Sequence, residues 1–356
     1  MSARPLLIED LKLTLLNDWQ HGFPLLPRPY LHIARQLGVS EAVVMQAYGA
    51  LGHDGSLSRI GGVWGAGAGG AAQLCAMAVP ADRLQAVAER VNAEPGVNHN
   101  YQREHDYNLW FVITGPDAQQ LERRMQAIER DCCLPALRLR MVRPYRIDLG
   151  FDLRRGSLSP DAPRASRCGQ PVGPDDRALA AQVEHGLPLV ELPYAQWAGA
   201  CGRSEADVLA RLQGWLQHGT LRRFGTIVRH HDVGFDANAM TVFDVDDAQV
   251  DAFGERLASQ SGITLCYRRE RAPTWRYNLY CMVHGRDRDS VRQCVEQAIA
   301  AAGLADVPQA MLFSTRRFKQ TGGRYFSLPA DEPGSAASPM PAAAALADTA
   351  AAVALT

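Results

Sequence analysis

The sequence predicts an α+β protein made by tandem duplication, in which each copy is a winged helix-turn-helix followed by a ferredoxin-like βαββαβ domain. The first observation is an internal repeat, because residues 21–63 align without a gap with residues 185–227. The second is the order of helical and strand-like apolar periodicities, which is the same in both copies. The repeat keeps identical residues at His21/His185, Pro29/Pro193, Tyr30/Tyr194, Ser40/Ser204, Arg59/Arg223 and Gly61/Gly225. Matches in this order are not expected by chance and indicate a duplication.

The N-terminal part of each copy has the pattern of a helix-turn-helix. In the first copy, the apolar spacing predicts helices over 30–37 and 40–52, separated by a short turn. Ser40 is a suitable N-cap for the second helix, and Ser204 occupies the same position in the other copy. A turn at Gly55 then leads into a short strand, which completes the order of a winged helix-turn-helix.

The rest of each copy has strand and helix patterns in the order βαββαβ. The first copy has them over 73–79, 81–94, 97–105, 107–113, 117–131 and 136–143. The second copy has them over 237–245, 247–261, 263–270, 276–284, 286–302 and 307–315. Two pairs of stretches align these domains: LCAMAV (74–79) with ANAMTV (237–242), and NYQREHDYNLWFV (100–112) with CYRRERAPTWRYNLYCMV (266–283).

These patterns predict the domain boundaries. The first copy has its winged helix at 1–64 and its ferredoxin-like domain at 65–153, followed by a Pro/Gly/Ser-rich linker at 154–175. The second copy has its winged helix at 176–228 and its ferredoxin-like domain at 229–328. The Ala/Pro-rich tail, 329–356, is expected to be disordered because it cannot bury enough apolar surface.

The composition is ordinary for a globular protein, with 47% hydrophobic residues, 21% charged residues and a net charge of -1. No apolar stretch resembles a signal peptide or a membrane span, so we expect a cytoplasmic protein without membrane contact. The eight cysteines include no CxxC pair and no Cys/His metal spacing. We therefore expect reduced thiols and no metal site.

The charge of the helix-turn-helix argues against DNA binding. The candidate recognition helix, 40–55, contains no lysine or arginine, and its counterpart in the second copy contains only Arg211. Tight DNA binding typically neutralises roughly 6–10 phosphates with basic side chains. We therefore predict that DNA is not the partner, and that the helix-turn-helix is a structural or interaction unit.

A winged helix followed by a ferredoxin-like domain is similar to the Lrp/AsnC family, whose members bind DNA with the first part and small ligands with the second. Several stretches resemble one Lrp/AsnC-like enzyme family more specifically, the sirohaem decarboxylases. The resemblance covers residues 6–328, in both halves, and indicates the form in which two related subunits are fused. The stretches are RRFGTIVRHHDVGFDANAM (222–240), CYRRER (266–271), RYNLYCMVHG (276–285), SRIGGV (58–63), VNHNYQREHDYNLWFV (97–112) and PYRIDLGFDL (144–153).

The resemblance implies the removal of carboxyl groups from the acetate side chains on rings C and D of sirohaem. The product would be 12,18-didecarboxysirohaem, and the fused form favours haem d1 biosynthesis over the alternative haem pathway. No cofactor is implied beyond the iron-containing substrate. The fused chain is expected to be an internal pseudo-dimer, with a homodimer and association with other haem d1 pathway proteins left open. The alternatives are an Lrp/AsnC-type transcriptional regulator and a tetrapyrrole-binding sensor without turnover.

The candidate catalytic residues follow the strand of the second winged helix. Loss of CO2 leaves carbanion character that the macrocycle can delocalise, and histidine is the usual proton donor near neutral pH. His230, beside Arg229 in the family-like stretch, is the first candidate for that donor. His231 is the second candidate, or an iron ligand, or only a polar residue at a strand end. The first copy has GAGAGGAAQ (65–73) at this place, without imidazole or guanidinium.

Cationic and aromatic residues near the strands are candidates for substrate binding, because arginine binds carboxylates bidentately. In the first copy, His99 and His105 stand where the second has Leu265 and Arg271, and one of them could complete a site around His230. Two arrangements fit the sequence. One is a single competent site built from both halves, and the other is a pair of unequal sites, one for each acetate. Alternatively, the arginines could be solvated residues of the wing, and the tyrosines could be core residues. The candidates are Arg222, Arg223, Tyr267, Arg268, Arg269, Tyr277, His99 and His105.

Overall fold

The computed structural model describes residues 8–65, 67–147, 151–152, 157–158, 169–228 and 237–327. The tail, 329–356, and most of the linker, 154–175, lie outside the described residues, so the expectations for them stay predictions.

In its described residues the first copy contains five helices and six strands, in the order that the sequence predicts after its first helix. They are α1 (Ile8–Asn17), α2 (Pro29–Leu37), α3 (Glu41–His53), β1 (Leu57–Trp64), β2 (Ala71–Met77), α4 (Leu84–Ala93), β3 (Val97–Arg103), β4 (Leu109–Gly115), α5 (Ala118–Cys132), β5 (Ala136–Leu139) and β6 (Met141–Ile147). A two-stranded ribbon follows, made of β7 (Phe151–Asp152) and β8 (Ser157–Leu158).

The second copy repeats this order. Its elements are α6 (Arg177–His185), α7 (Pro193–Cys201), α8 (Glu205–Gln217), β9 (Leu221–Val228), β10 (Ala237–Phe243), α9 (Val250–Ala258), β11 (Ile263–Arg269), β12 (Leu279–Gly285), α10 (Arg288–Ala302) and β13 (Gln309–Gln320). The predicted fold class is confirmed, since both copies have a helix-turn-helix and an AsnC-like domain.

The turns of the two helix-turn-helix units have the same local causes. The Ser40 hydroxyl accepts a hydrogen bond from the Val43 N–H (3.3 Å), and the Ser204 hydroxyl accepts one from the Asp207 N–H (3.1 Å). The preceding helices α2 and α7 both end at a glycine in the left-handed conformation, with φ of 68° at Gly38. The N-caps that the sequence indicates are therefore present in both copies.

The two winged-helix units share a single core. Strand β1 pairs antiparallel with β9 of the other copy, with Gly61 opposite Gly225, so each wing strand finds its partner in the other half. The Tyr30 hydroxyl donates to the Pro188 carbonyl, and the Tyr194 hydroxyl donates to the Pro24 carbonyl, both at 2.9 Å. The halves are therefore interlocked through their helix-turn-helix units.

The ferredoxin-like domains also exchange strands. Their nine-stranded sheet has the order β5-β2-β4-β3-β13-β10-β12-β11-β6. Strand β6 of the first copy pairs with β11 of the second, and the end of β13 crosses to pair with β3, with Gln320 opposite His99. Because only Arg140 separates β5 from β6, the two ends of the sheet are consecutive parts of one segment, and the sheet closes on itself.

The strand pairing corrects one alignment made from the sequence. Ala71 lies opposite Gly115 and Ala237 lies opposite Gly285, so Leu74 is equivalent to Met240. The alignment of LCAMAV with ANAMTV, which matched Leu74 to Ala237, is wrong. An odd shift along a strand moves every side chain to the opposite face, and the apolar pattern of both strands is too uniform to prevent this error.

The helices of the ferredoxin-like domains cover the outside of the sheet. Helices α4 and α5 pack on the first copy around Phe111 and Met125, and α9 and α10 pack on the second around Phe243 and Val295. A further cluster, which includes Trp110, lies on the inner face and joins residues of both copies. In the part of the chain that the structure describes, no helix has the length and apolar character needed to cross a membrane.

Candidate active site

One cavity of about 640 Å³ lies between the paired strands β1 and β9 and the inner face of the sheet. Both copies line it, so the duplication creates one shared cavity. Its apolar and aromatic wall includes Trp64, Leu74, Tyr101, Trp110, Val112, Met141, Met240, Leu265, Tyr267, Met282 and Tyr325. Its volume is in the ordinary range for sites that hold small molecules and cofactors, roughly 300–1,000 Å³.

The charge of the cavity wall has one sign. The described lining residues include five arginines and no aspartate or glutamate; the arginines are Arg59, Arg103, Arg222, Arg223 and Arg269. Guanidinium groups remain cationic at all physiological pH values. A wall of this charge is complementary to a ligand with several carboxylates.

Arg103 and Arg269 occupy equivalent positions in β3 and β11. The Nη1 of Arg103 donates to the Leu312 carbonyl (3.0 Å) and the Nη1 of Arg269 donates to the Leu139 carbonyl (2.7 Å), so each side chain reaches a strand of the other copy. Burial lowers the pKa of Arg103 to about 10, which still leaves it charged at neutral pH. The Nε of Arg269 is buried without a hydrogen-bond partner among the described residues. A buried donor on a cavity wall favours a ligand that accepts a hydrogen bond there.

Arg59 and Arg223, the pair found in the repeat, also have matching contacts. Arg59 donates to the carbonyl of Gly62 (3.2 Å), and Arg223 donates to the carbonyl of Thr226 (3.1 Å), three residues further along in each case. Burial lowers the pKa of Arg59 to about 10, an effect that nearby Glu184 opposes. The Nε of Arg59 is a second buried donor without a partner in the described part of the chain.

Residues 321–327, which we call the strap, carry the second copy across to the cavity wall of the first. Glu184 holds this segment, because its carboxylate accepts hydrogen bonds from the backbone N–H of Tyr325 (2.8 Å), Phe326 (3.1 Å) and Ser327 (3.0 Å). At Gly322 a Cβ atom would lie 2.1 Å from a guanidinium nitrogen of Arg59, so a side chain there would require the end of Arg59 to move. The strap was not predicted from the sequence, in which the pair Gly322 and Gly323 after the last strand is its only signal.

Two of the described histidines lie on the cavity wall. The Nδ1 of His99 is 2.9 Å from the amide oxygen of Asn98, and burial lowers the pKa of His99 to about 4. The Nδ1 of His284 is 2.9 Å from the Thr264 hydroxyl oxygen, and that hydroxyl donates its own hydrogen to the Met282 carbonyl. His284 was missed from the sequence, because its strand reads as an apolar core strand.

The structure brings together five of the candidates for substrate binding. Strand alternation directs Tyr267 and Arg269 towards the cavity and Arg268 away from it, where Arg268 pairs with Asp247 (3.3 Å). The five residues that line the cavity are Arg222, Arg223, Tyr267, Arg269 and His99.

Tyr277 and His105 also lie away from the cavity, in loops beyond the strand ends. The ring of Tyr277 packs against Trp275 at a centroid distance of 4.9 Å, and the ring of His105 packs against the same tryptophan at 5.2 Å. Arg268, Tyr277 and His105 do not line this cavity, and substrate binding by these three residues stays a prediction.

The candidate catalytic residues Arg229, His230 and His231 lie outside the described residues. The residues on either side of them are described. Val228, immediately before the segment, and Asn238, shortly after it, both line the cavity.

Comparison with known proteins identifies the family. The description "AsnC-like ligand binding domain" matches residues 68–146 and 232–319, and "Siroheme decarboxylase NirDL-like HTH domain" matches residues 13–57 and 176–222. The "Siroheme decarboxylase NirDL subunit" of Paracoccus denitrificans (strain Pd 1222) is 40% identical over 318 residues, which cover 88% of this chain and 97% of that protein. The chain belongs to the siroheme decarboxylase NirDL family.

Solved structures and shorter relatives agree with this assignment. The "Crystal structure of the siroheme decarboxylase NirDL in co-complex with iron-uroporphyrin III analogue" superposes with a TM-score of 0.63 at 29% identity, covering 90% of this chain and 95% of the other. The "Siroheme decarboxylase NirL subunit" of Stutzerimonas stutzeri is 50% identical over 148 residues, 41% of this chain and 87% of that subunit. The NirDL family therefore has relatives of about half this length, as a tandem duplication requires.

Proposed function

We propose that this protein is a carboxy-lyase that converts the acetate side chains on rings C and D of sirohaem to methyl groups, giving 12,18-didecarboxysirohaem for haem d1 biosynthesis. The observation that carries the proposal is the shared cavity, with five arginines, no carboxylate among its described lining residues and a largely apolar wall. The iron-uroporphyrin analogue bound by a structurally similar NirDL enzyme supports the same ligand class.

The arginines bind the carboxylates that do not react. A guanidinium group that held a reacting acetate would stabilise its charged ground state and slow the loss of CO2. The acetates of rings C and D therefore face the apolar wall, where removal of water from the carboxylate favours the transition state. Arg59, Arg103 and Arg269 hold other side chains of the macrocycle and fix its position.

The reaction then requires a proton donor. The bond between the methylene carbon and the carboxyl carbon breaks, CO2 leaves, and the electron pair stays on the methylene carbon, conjugated with the macrocycle. We assign the protonation of that carbon to His230, with Arg229 beside it and His231 as the second candidate. The cavity-lining positions of Val228 and Asn238 around this segment support the assignment. His99 is less suited to be the donor, because its lowered pKa keeps the ring neutral.

A single site for both acetates fits the shared cavity better than two separate sites. Both copies contribute arginines to one continuous wall, so the chain itself supplies the two halves that other family members supply as separate subunits. We also propose that the enzyme needs no organic cofactor, acts in the cytoplasm and is a pseudo-dimer within one chain. A homodimer and association with other haem d1 pathway proteins remain proposals.

Anaerobic incubation with sirohaem followed by mass analysis of the tetrapyrrole tests the function. The proposal expects a product lighter by two CO2 molecules. A shifted Soret band with unchanged ligand mass would instead indicate a sensor without turnover. Salt-dependent, sequence-selective retention of DNA would indicate a regulator.

A further inference from the structure

We infer that His99 binds the iron of the tetrapyrrole through Nε2, as an axial ligand on one face of the macrocycle. The inference rests on the proposed function, because it takes sirohaem as the occupant of the cavity. His99 lies on β3 and lines the cavity together with Tyr101 and Arg103, which follow on the same face of the strand.

The hydrogen bond of the ring fixes which nitrogen is available. The oxygen of the Asn98 amide only accepts, so the Nδ1 of His99, at 2.9 Å, carries the ring proton. The lone pair is then on Nε2. A histidine that binds a metal typically donates its other ring N–H to a carbonyl or carboxylate oxygen, which is the arrangement found here.

The surroundings of Asn98 keep this arrangement in place. The Asn98 side chain is 6% exposed, and its backbone carbonyl accepts a hydrogen bond of 2.7 Å from the Thr321 N–H in the strap. The ring of His99 stacks on that of Tyr101 at a centroid distance of 6.3 Å. Among the described residues the ring makes no hydrogen bond except the one to Asn98, so Nε2 has no protein partner there.

The duplication gives this histidine a second consequence. Leu265 is the equivalent residue in the second copy, because His99 lies opposite Val112 and Leu265 lies opposite Met282. Leu265 also lines the cavity but cannot bind iron. A cavity whose arginines repeat about a pseudo-twofold axis would accept a macrocycle in two related orientations. Because iron can be bound from either face of a macrocycle, His99 would hold it against the wall of the first copy in both orientations.

Resonance Raman spectroscopy of the ferrous sirohaem complex, prepared anaerobically with the full-length protein, tests the inference. We expect an iron–imidazole stretching band in the wild type that is lost in His99→Ala and restored by added imidazole. His284→Ala, a change of the other described cavity histidine, should keep the band. Asn98→Ala should keep it too but weaken sirohaem binding by about 10- to 100-fold, as is usual for the partner of a metal-bound histidine.

Persistence of the iron–imidazole band in His99→Ala would overturn the inference, as would its loss in His284→Ala or in His231→Ala with His99 intact. Decarboxylation is measured separately on the same samples. A wild type that shows the His99-dependent band without releasing CO2 would refute the proposed function and leave the ligand assignment standing. Normal turnover with no iron–imidazole band would refute the ligand assignment and leave the proposed function standing. Absence of sirohaem binding would refute both the ligand assignment and the proposed function.

Discussion

Replacing Glu184 with glutamine tests whether one buried carboxylate holds the strap against the cavity. Oε1 accepts from the Trp64 indole N–H (3.1 Å) and from the Tyr325 N–H, and Oε2 accepts from the N–H groups of Phe326 and Ser327. Glu184 is 7% exposed, so these donors depend on its two oxygens. Glutamine has only one oxygen that can accept these hydrogen bonds. Its NH2 group replaces the other oxygen, so at least one N–H loses its acceptor and faces a donor instead.

The expected cost follows from these contacts. A buried donor without an acceptor costs about 1–3 kcal/mol, and each remaining bond weakens by about 1 kcal/mol when its acceptor becomes neutral. Because the strap residues are half-buried and can partly turn to water, we expect the free energy of unfolding to fall by about 2–4 kcal/mol in Glu184→Gln. We also expect weaker sirohaem binding, since Gly322, Gly323 and Tyr325 of the strap line the cavity.

Urea unfolding of Glu184→Gln and a matched control measures this cost. The control is Glu191→Gln, the same chemical change at an exposed pair with Arg28 (3.0 Å), where we expect a loss of about 0–1 kcal/mol. If Glu184→Gln unfolds within about 0.5 kcal/mol of the wild type, the carboxylate does not hold the strap as described here.

Three further predictions concern the cavity. Arg103→Met should lower sirohaem affinity on the order of 100-fold in equilibrium titrations, since a charged hydrogen bond is worth about 2–3 kcal/mol. Arg268→Met, on the other face of β11, should change affinity less than about threefold. Equal effects of the two changes would contradict the assignment of Arg103 to the ligand-binding wall. The pKa of His99 falls from 6.5 in the unfolded chain to about 4 in the fold. As the pH falls from 6.5 to 4, the wild type should therefore lose about 3 kcal/mol of stability relative to His99→Leu, measured by urea denaturation. An equal pH dependence of the free energy of unfolding in the two proteins would show that the ring is not buried. His230→Ala should lower kcat for both arms about 100- to 10,000-fold in single-turnover assays, and unaltered release of both CO2 molecules would rule out His230 as the proton donor.

Local signals were sufficient to predict the order of the elements. The N-caps at Ser40 and Ser204 depend on neighbours along the chain, so a single sequence reveals them. Strand alternation is equally local, but the prediction that Tyr267, Arg268 and Arg269 all bind substrate did not apply it. Helices α1 and α6 were not predicted; Asp176, at the N-cap position of α6, makes no side-chain capping hydrogen bond. Their apolar residues are buried by the shared winged-helix core.

The shared cavity could not be predicted from either copy alone. It depends on pairing between distant segments: β1 with β9, β6 with β11, and the end of β13 with β3. Each of these strands has an apolar pattern that fits a partner in its own half equally well. The same limit applies to His284, whose contact with Thr264 and place in the cavity exist only once β11 and β12 are paired in register.

The central claim is that sirohaem reacts inside the cavity shared by the two copies, and filling that cavity tests it most directly. Val112 is half-buried and lines the cavity, so Val112→Trp should fit without disturbing the sheet while occupying the space of the macrocycle. Val43→Trp, at a position 39% exposed on α3, is the control. In anaerobic incubations followed by mass analysis, we predict that Val112→Trp leaves sirohaem unchanged while the control releases two CO2 molecules. Full decarboxylation by a folded Val112→Trp would contradict the account.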